Sequence, residues 1–240
     1  MPRMLLALLL LGTNAVAANQ NDAPRPAYDF SLSREERIKL AKSAAPPEIS
    51  DHATVYVLDK TGYAKVQDGT NGFSCFVDRQ TPFNLEPTCF DAEGSATTLQ
   101  SPFFAEEQRA QGKPEDEIKA AIDDGYKTRT FHAPAKPGIV YMMSDHGVLF
   151  IAGKFIHIPP HLMFYAPYAT EKDLGSPPPA SNMPRLIRAG QPDAVIIVIP
   201  GQAKDSHGRH KSLCMGARDV DKEHRRVLLD SLKGKIGQLY

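Results

Sequence analysis

Phe155-Ile156-His157-Ile158-Pro159-Pro160-His161-Leu162-Met163-Phe164-Tyr165-Ala166-Pro167-Tyr168 is the stretch on which the reading of this chain turns. It joins a dense apolar segment to two histidines and a methionine. Pro159, Pro160 and Pro167 rule out a continuous helix, because each lacks a backbone donor and restricts the residue before it. His161 to Ala166 is therefore extended. Alternation puts His161, Met163 and Tyr165 on one face, and Leu162, Phe164 and Ala166 on the other. One face packs; the other carries chemistry or buried hydrogen bonds.

Outward from this stretch, short strands recur. Ile139 to Met143 and Val148 to Ile151 precede it, with Asp145-His146-Gly147 and Ala152-Gly153-Lys154 as turns. Earlier, Ala53 to Leu58, Tyr63 to Gln67 and Phe73 to Val77 are β-rich runs separated by Asp59-Lys60-Thr61-Gly62 and Asp68-Gly69-Thr70-Asn71-Gly72. Their spacing and turn chemistry predict an antiparallel meander. Ala194 to Ile199 has no polar position and is expected to lie centrally, covered on both faces.

Helices intervene. Ser33 with Glu36 three residues on is a capping-box pattern opening a thinly apolar surface helix that Pro46-Pro47 stops. Thr81 to Gly94 reads as irregular. Ser101-Pro102 then caps a helix to Gln111. Pro114 with Glu115, Asp116 and Glu117 opens another, whose stripe is Ile118, Ala121, Ile122 and Tyr126. The fold class expected is α+β: an antiparallel sheet with two or three helices packed on it, one disulfide and a C-terminal helical extension.

The ends are different in character. Pro2-Arg3-Met4, the apolar run Leu5 to Leu11 and the small-x-small pattern Ala15-Val16-Ala17 read as a secretory signal over residues 1–17. Its apolar run is about half the roughly 18 residues a spanning helix needs. A disordered leader is expected over 18–32, a single α+β domain over 33–200, and a polar basic segment with an amphipathic helix over 201–240. Periplasmic or extracellular location follows, with no membrane anchor in the mature chain. Lys and Arg total 28 and Asp and Glu total 28, so net charge gives no footprint for nucleic acid.

Export permits a disulfide. Cys75 and Cys89 would close a loop of about 14 residues, worth roughly 3 kcal/mol on the chain-entropy model. Cys214 is left over.

Three constellations carry possible chemistry. His157, His161 and Met163 would suit copper or haem iron, but two prolines separate the histidines. His207, His210 and Cys214 hold soft ligands close together in a flexible basic segment. Asp91 and Glu93 could form an acid–base set with His161 if the fold brings them together. Asn71, Arg79, Tyr141 and Tyr165 are candidate ligand-binding residues. No cofactor is assigned. Ser144-Asp145-His146 is discarded as a triad, since neighbours in a turn point apart. Nucleophile-elbow, P-loop, His-Glu-x-x-His and Cys-x-x-Cys signatures are missing.

Asn71-Gly72-Phe73-x-Cys75, Pro87-Thr88-Cys89-Phe90-Asp91-x-Glu93-Gly94, Gly138 to Ser144 and Pro160 to Tyr168 resemble a family of uncharacterised exported bacterial proteins. The resemblance spans roughly Ala53 to Ile199. It implies bacterial origin and an extracytoplasmic location, and carries no activity or ligand. The leading expectation is an exported protein that binds a small ligand or partner in a pocket near His161. The alternatives are an extracytoplasmic hydrolase using His161 with Asp91 or Glu93, and a copper- or haem-binding protein.

Overall fold

The computed structural model describes residues 27–175 and 184–200, with the backbone of 203–204 and 210–211. The segment read as a secretory signal, most of the expected leader, His207, Cys214, the side chain of His210 and the expected terminal helix lie outside the described residues.

Ser33 caps helix α1 (Arg34–Lys42) as expected: its hydroxyl accepts from the Glu36 backbone at 3.2 Å, and Glu36 accepts from the Ser33 backbone at 2.8 Å. Short α2 (Pro47–Ser50) follows. Then come strands β1 (Thr54–Asp59), β2 (Gly62–Gln67), β3 (Ser74–Asp78) and β4 (Glu86–Phe90). Three helices come next: α3 (Ala92–Ala96), α4 (Gln100–Ala110) and α5 (Glu115–Lys127). The second half adds β5 (Ile139–Met142), β6 (Val148–Ile151), β7 (Lys154–His157), β8 (His161–Tyr165), a 3-10 turn (Glu171–Leu174), β9 (Arg185–Ile187) and β10 (Val195–Val198). Ala203–Lys204 and His210–Lys211 form a small separate ladder, β11–β12.

The fold is α+β, and its main sheet has eight strands in the order β2-β1-β3-β4-β5-β8-β10-β9. Every neighbouring pair is antiparallel except β1 and β3. The meander expected across β1, β2 and β3 therefore stops after one hairpin. Past β2 the chain crosses the start of β1, where Thr70 and Asn71 donate to the His52 carbonyl. It then joins β1 from the other side, in parallel. Gly69 makes that crossing possible: a Cβ there would lie 2.1 Å from the Thr54 nitrogen and 2.4 Å from the Ala53 carbonyl carbon.

Register assigns the faces. Cys75 opposes Cys89, and Cys89 opposes Tyr141, so all three share one face. Over it lie α1 and α2, whose neighbourhood supplies Ala44, Ala45 and Ala53, small residues packed on the Cys75–Cys89 disulfide. The opposite face carries Phe76, Phe90, Val140, Met142, Tyr165 and Val195 against Leu99 and Phe103 of the α4 region. Tyr63 stacks on Phe103 at 4.4 Å, and Phe76 meets Phe90 edge-on at 5.3 Å. Such pairs add about 0.5–1.5 kcal/mol beyond burial.

Several sequence expectations are corrected. The leader is packed from Ala27: Tyr28 is buried and donates to the Leu58 carbonyl at 3.1 Å. The segment read as irregular contains β4, every residue of which is buried. Pro87 hid it, yet the β5 ladder reaches only Cys89 and Phe90, so the missing donor breaks no pairing there. Helix α4 begins at Gln100 with no side-chain cap, and Ser101 instead donates to the Thr98 carbonyl. In the α5 stripe Ile118 and Tyr126 are buried, Ile122 is half-buried and Ala121 is exposed. β10 is second from the sheet edge, and Ile196 to Val198 are half-buried.

Gly69→Ala should cost more than about 3 kcal/mol, since backbone on both sides must move. Urea unfolding with unchanged slope measures it. A loss under about 1 kcal/mol would mean the chain does not cross β1 at this point.

Candidate functional site

The acid–base set proposed from sequence does not assemble. His161 begins β8, opposite Met142, and is 4 % exposed. Its Nδ1 donates to the Pro159 carbonyl at 2.9 Å, and burial holds its pKa below the ordinary imidazole value. Asp91 lies at the other end of the strand. It caps α3 through Gly94 at 2.9 Å, takes the Tyr165 hydroxyl at 3.2 Å, and accepts from the Ile139 backbone at 2.9 Å. Four residues of extended chain separate positions 161 and 165, about 13 Å at strand rise. Glu93 accepts from the Ala135 backbone at 2.6 Å. Both acids brace the chain around α3, and neither bonds His161.

The ligand-binding candidates are also dispersed. Asn71 donates to Ile49 and accepts from Phe73, stabilising the crossing loop. Tyr141 sits on the disulfide face beside Phe73, opposite to the face that carries Tyr165. Arg79 is buried, pairs bidentately with Glu106, and lies over the Tyr28 and Phe30 rings. His157 is on the β6–β7 hairpin with Nε2 on the Asp145 carbonyl at 2.5 Å, far in function from His161 and from Met163 in the core. Among the described residues no three histidine, cysteine or acidic side chains come together in metal-binding geometry.

A different site emerges from the register. A cleft of about 380 Å³ runs between α4–α5 and the sheet. Phe90, Val140, Met142, Met163, Tyr165 and Val195 form its floor, and Ala105, Ile118 and Ile122 its roof. His161 is not among its walls, so the pocket lies at the Met163–Tyr165 part of the opening stretch.

At the β3–β4 end of the cleft, Asp78 stands directly opposite Glu86. Like charges facing each other across an antiparallel pair are unfavourable. Glu86 is buried, and its side-chain hydrogen bond is Asn84 donating to Oε1 at 3.0 Å. Burial, with Asp78 facing it, pushes Glu86 up to about 8; the Asn84 bond opposes this. Burial pushes Asp78 up to about 6, against a hydrogen bond from the Arg79 backbone. The pair therefore holds a proton at neutral pH.

The neighbouring acid, Glu106, has a different environment. It lies between Arg79 and Arg109, and Arg109 continues to Glu115 at 2.7 Å and to the Arg79 carbonyl at 2.9 Å. That network closes the end of the cleft and leaves Glu86 without a cation. Sequence reading missed Asp78 and Glu86 because Pro87 concealed the strand. A signal was available: Asp78 follows Cys75 by three residues, and Glu86 precedes Cys89 by three. Once the cysteines oppose each other in antiparallel strands, the acids must as well.

A carboxyl with a raised folded pKa favours the folded state while protonated. The Glu86 contribution is complete below its ordinary value of 4.5 and is lost as pH rises through about 8. Glu86→Gln should therefore become increasingly stabilising relative to wild type from pH 5 to pH 8, by urea unfolding. Asp78 and His161 are common to both chains and largely cancel in the difference. A difference constant with pH would show that Glu86 titrates normally.

Comparisons with protein-family models, with curated proteins and with solved structures find no match to this chain.

Proposed function

We propose that this is an exported protein that binds a small, mainly apolar molecule in the cleft between the sheet and α4–α5. The observation that carries the reading is the cleft itself. Its volume of about 380 Å³ falls among ligand sites of roughly 300–1,000 Å³. Most of its exposed lining is apolar, and charged groups stand at both ends, Asp78, Arg79 and Glu86 at one and Asp123, Arg188 and Asp193 at the other.

Two methionines on the floor, Met142 and Met163, suit a ligand of irregular outline, because the thioether side chain adapts to the space offered. Glu86, protonated at neutral pH, offers a donor to a carbonyl or ether oxygen. The Thr98 hydroxyl also lines the cleft and is buried without a hydrogen-bond partner. Buried polar groups are normally satisfied, so an unsatisfied one beside a cavity favours an incoming partner. Export is supported by the N-terminal pattern, with which the Cys75–Cys89 disulfide is compatible.

The chain contains no tryptophan, which permits a clean reporter. Ile122→Trp places an indole on the half-buried roof of the cleft. Titration with the uncharged probe N-phenyl-1-naphthylamine should give saturable, one-to-one energy transfer from that indole. At one hundred times the dissociation constant, wild-type protein should gain about 2.7 kcal/mol of stability. No saturation in the millimolar range, together with no stabilisation of wild type, would remove the reading.

A further inference from the structure

A second cavity, of about 520 Å³, opens between the last turns of α5 and the loops flanking β9. It shares Asp123 and Arg188 with the cleft, but its chemistry is different. Lys127, Arg129 and Arg188 line it, against the single carboxylate of Asp123. Arg188 is held in place by Asp193 at 2.7 Å and by Asp123 at 3.2 Å, and Lys119 also neutralises Asp123 at 2.6 Å. Lys127 and Arg129 have no carboxylate partner among the described residues. The local balance is cationic.

Two further observations point to a ligand. The Tyr126 hydroxyl is buried with no hydrogen-bond partner, although the residue lines this cavity and is only 8 % exposed. Ser101, on the facing helix, donates to the Thr98 carbonyl; it lies near enough to the phenol to oppose its pKa rise, but makes no well-formed hydrogen bond to it. Burial pushes Tyr126 up to about 12, so the hydroxyl keeps its proton and can donate. Backbone conformation adds to this. Arg129, Tyr168 and Arg188 all have positive φ, at 63°, 63° and 56°; the one other such non-glycine among the described residues is Ala152. Left-handed backbone at non-glycine residues is uncommon and gathers at binding sites. Tyr168 is 62 % exposed, with its ring available at the rim.

We propose that this cavity binds a small planar oxyanion, an aromatic carboxylate or aryl phosphate, with the anionic group on Arg129, Lys127 and the Tyr126 hydroxyl and the ring against Tyr168. Guanidinium and phenol donors match carboxylate and phosphate oxygens alike, and an exposed phenol ring stacks on a planar partner. The cavity adjoins the cleft through Asp123 and Arg188, so substitutions at Tyr126 and Arg129, which line this cavity and not the cleft, tell binding here from binding there.

The full chain is titrated by calorimetry with benzoate, phenyl phosphate and inorganic phosphate. Benzoate or phenyl phosphate should bind one-to-one, and the tighter of the two identifies the anionic group. Tyr126→Phe should weaken that binding about tenfold. It should leave the melting temperature unchanged or higher, because the hydroxyl has no well-formed internal hydrogen bond to lose. Arg129→Gln, at an exposed position, should weaken binding to a similar extent. Inorganic phosphate binding as tightly as phenyl phosphate would overturn the planar half of the proposal. Absence of saturable binding by all three, or affinities unmoved by both substitutions, would overturn it altogether.

Discussion

The crosslink between Cys75 and Cys89 joins residues that face each other across two adjacent strands in the middle of the sheet. Its effect goes beyond restricting the unfolded chain. An antiparallel pair has a side-chain period of two, so one fixed pairing determines every other pairing along the two strands. From this single constraint Phe76 faces Thr88, Val77 faces Pro87, and Asp78 faces Glu86. The sulfur atoms lie on one face beneath the small residues Ala41, Ala44 and Ala45, with Ile49, Phe73 and Tyr141 around them. The cluster of Phe76, Phe90, Phe103 and Tyr165 lies on the other face, and so does the cleft.

Two buried acids on that second face illustrate opposite solutions to the same desolvation cost. Glu106 is paired between two guanidiniums, and removing one partner from such an arrangement typically costs about 3–5 kcal/mol. Glu86 has no cation and adjusts by keeping its proton. The first arrangement serves the fold, joining α4 to the end of β3. The second orients Asn84, whose Oδ1 accepts from the Phe150 backbone at 3.0 Å, and it also leaves a carboxyl on the cleft wall with Asp78 facing it. Perturbed acids beside a cleft are where function concentrates.

Much of this was legible in the sequence, for identifiable reasons. The capping box at Ser33, the first-turn acids of α5 and the alternation from His161 to Tyr165 are local patterns, and local geometry decides them. The disulfide was legible from spacing. What failed depended on contacts distant in the chain. The crossing at Gly69 reads as an ordinary turn, since nothing nearby in sequence reveals that β1 lies beneath it. Pro87 argued against a strand, and only the short reach of β5 makes it acceptable. The bet on His161 with Asp91 failed because a residue's place along a strand matters as much as its face: the two lie at opposite ends of β8. Tyr165, a ligand-binding candidate from the sequence, bonds Asp91 and lines the cleft.

Both cavities flank α5, and its sequence accounts for this. The helix is apolar at widely spaced positions, with Ile118 and Tyr126 buried two turns apart and Ala121 exposed between them. The helix packs on α4, and Ile118 and Ile122 face the cleft between it and the sheet. Its far end is then held by Phe131, whose ring packs where a Cβ on Gly125 would stand, at 2.5 Å, and which contacts Phe104 and Tyr126 edge-on. That fixes the helix at a distance from β5, β8 and β10. Apolar floor remains uncovered beneath its middle, and at its end Tyr126 lines a basic hollow, its hydroxyl buried without a well-formed hydrogen bond. A helix with a continuous apolar face would have closed the space over the sheet.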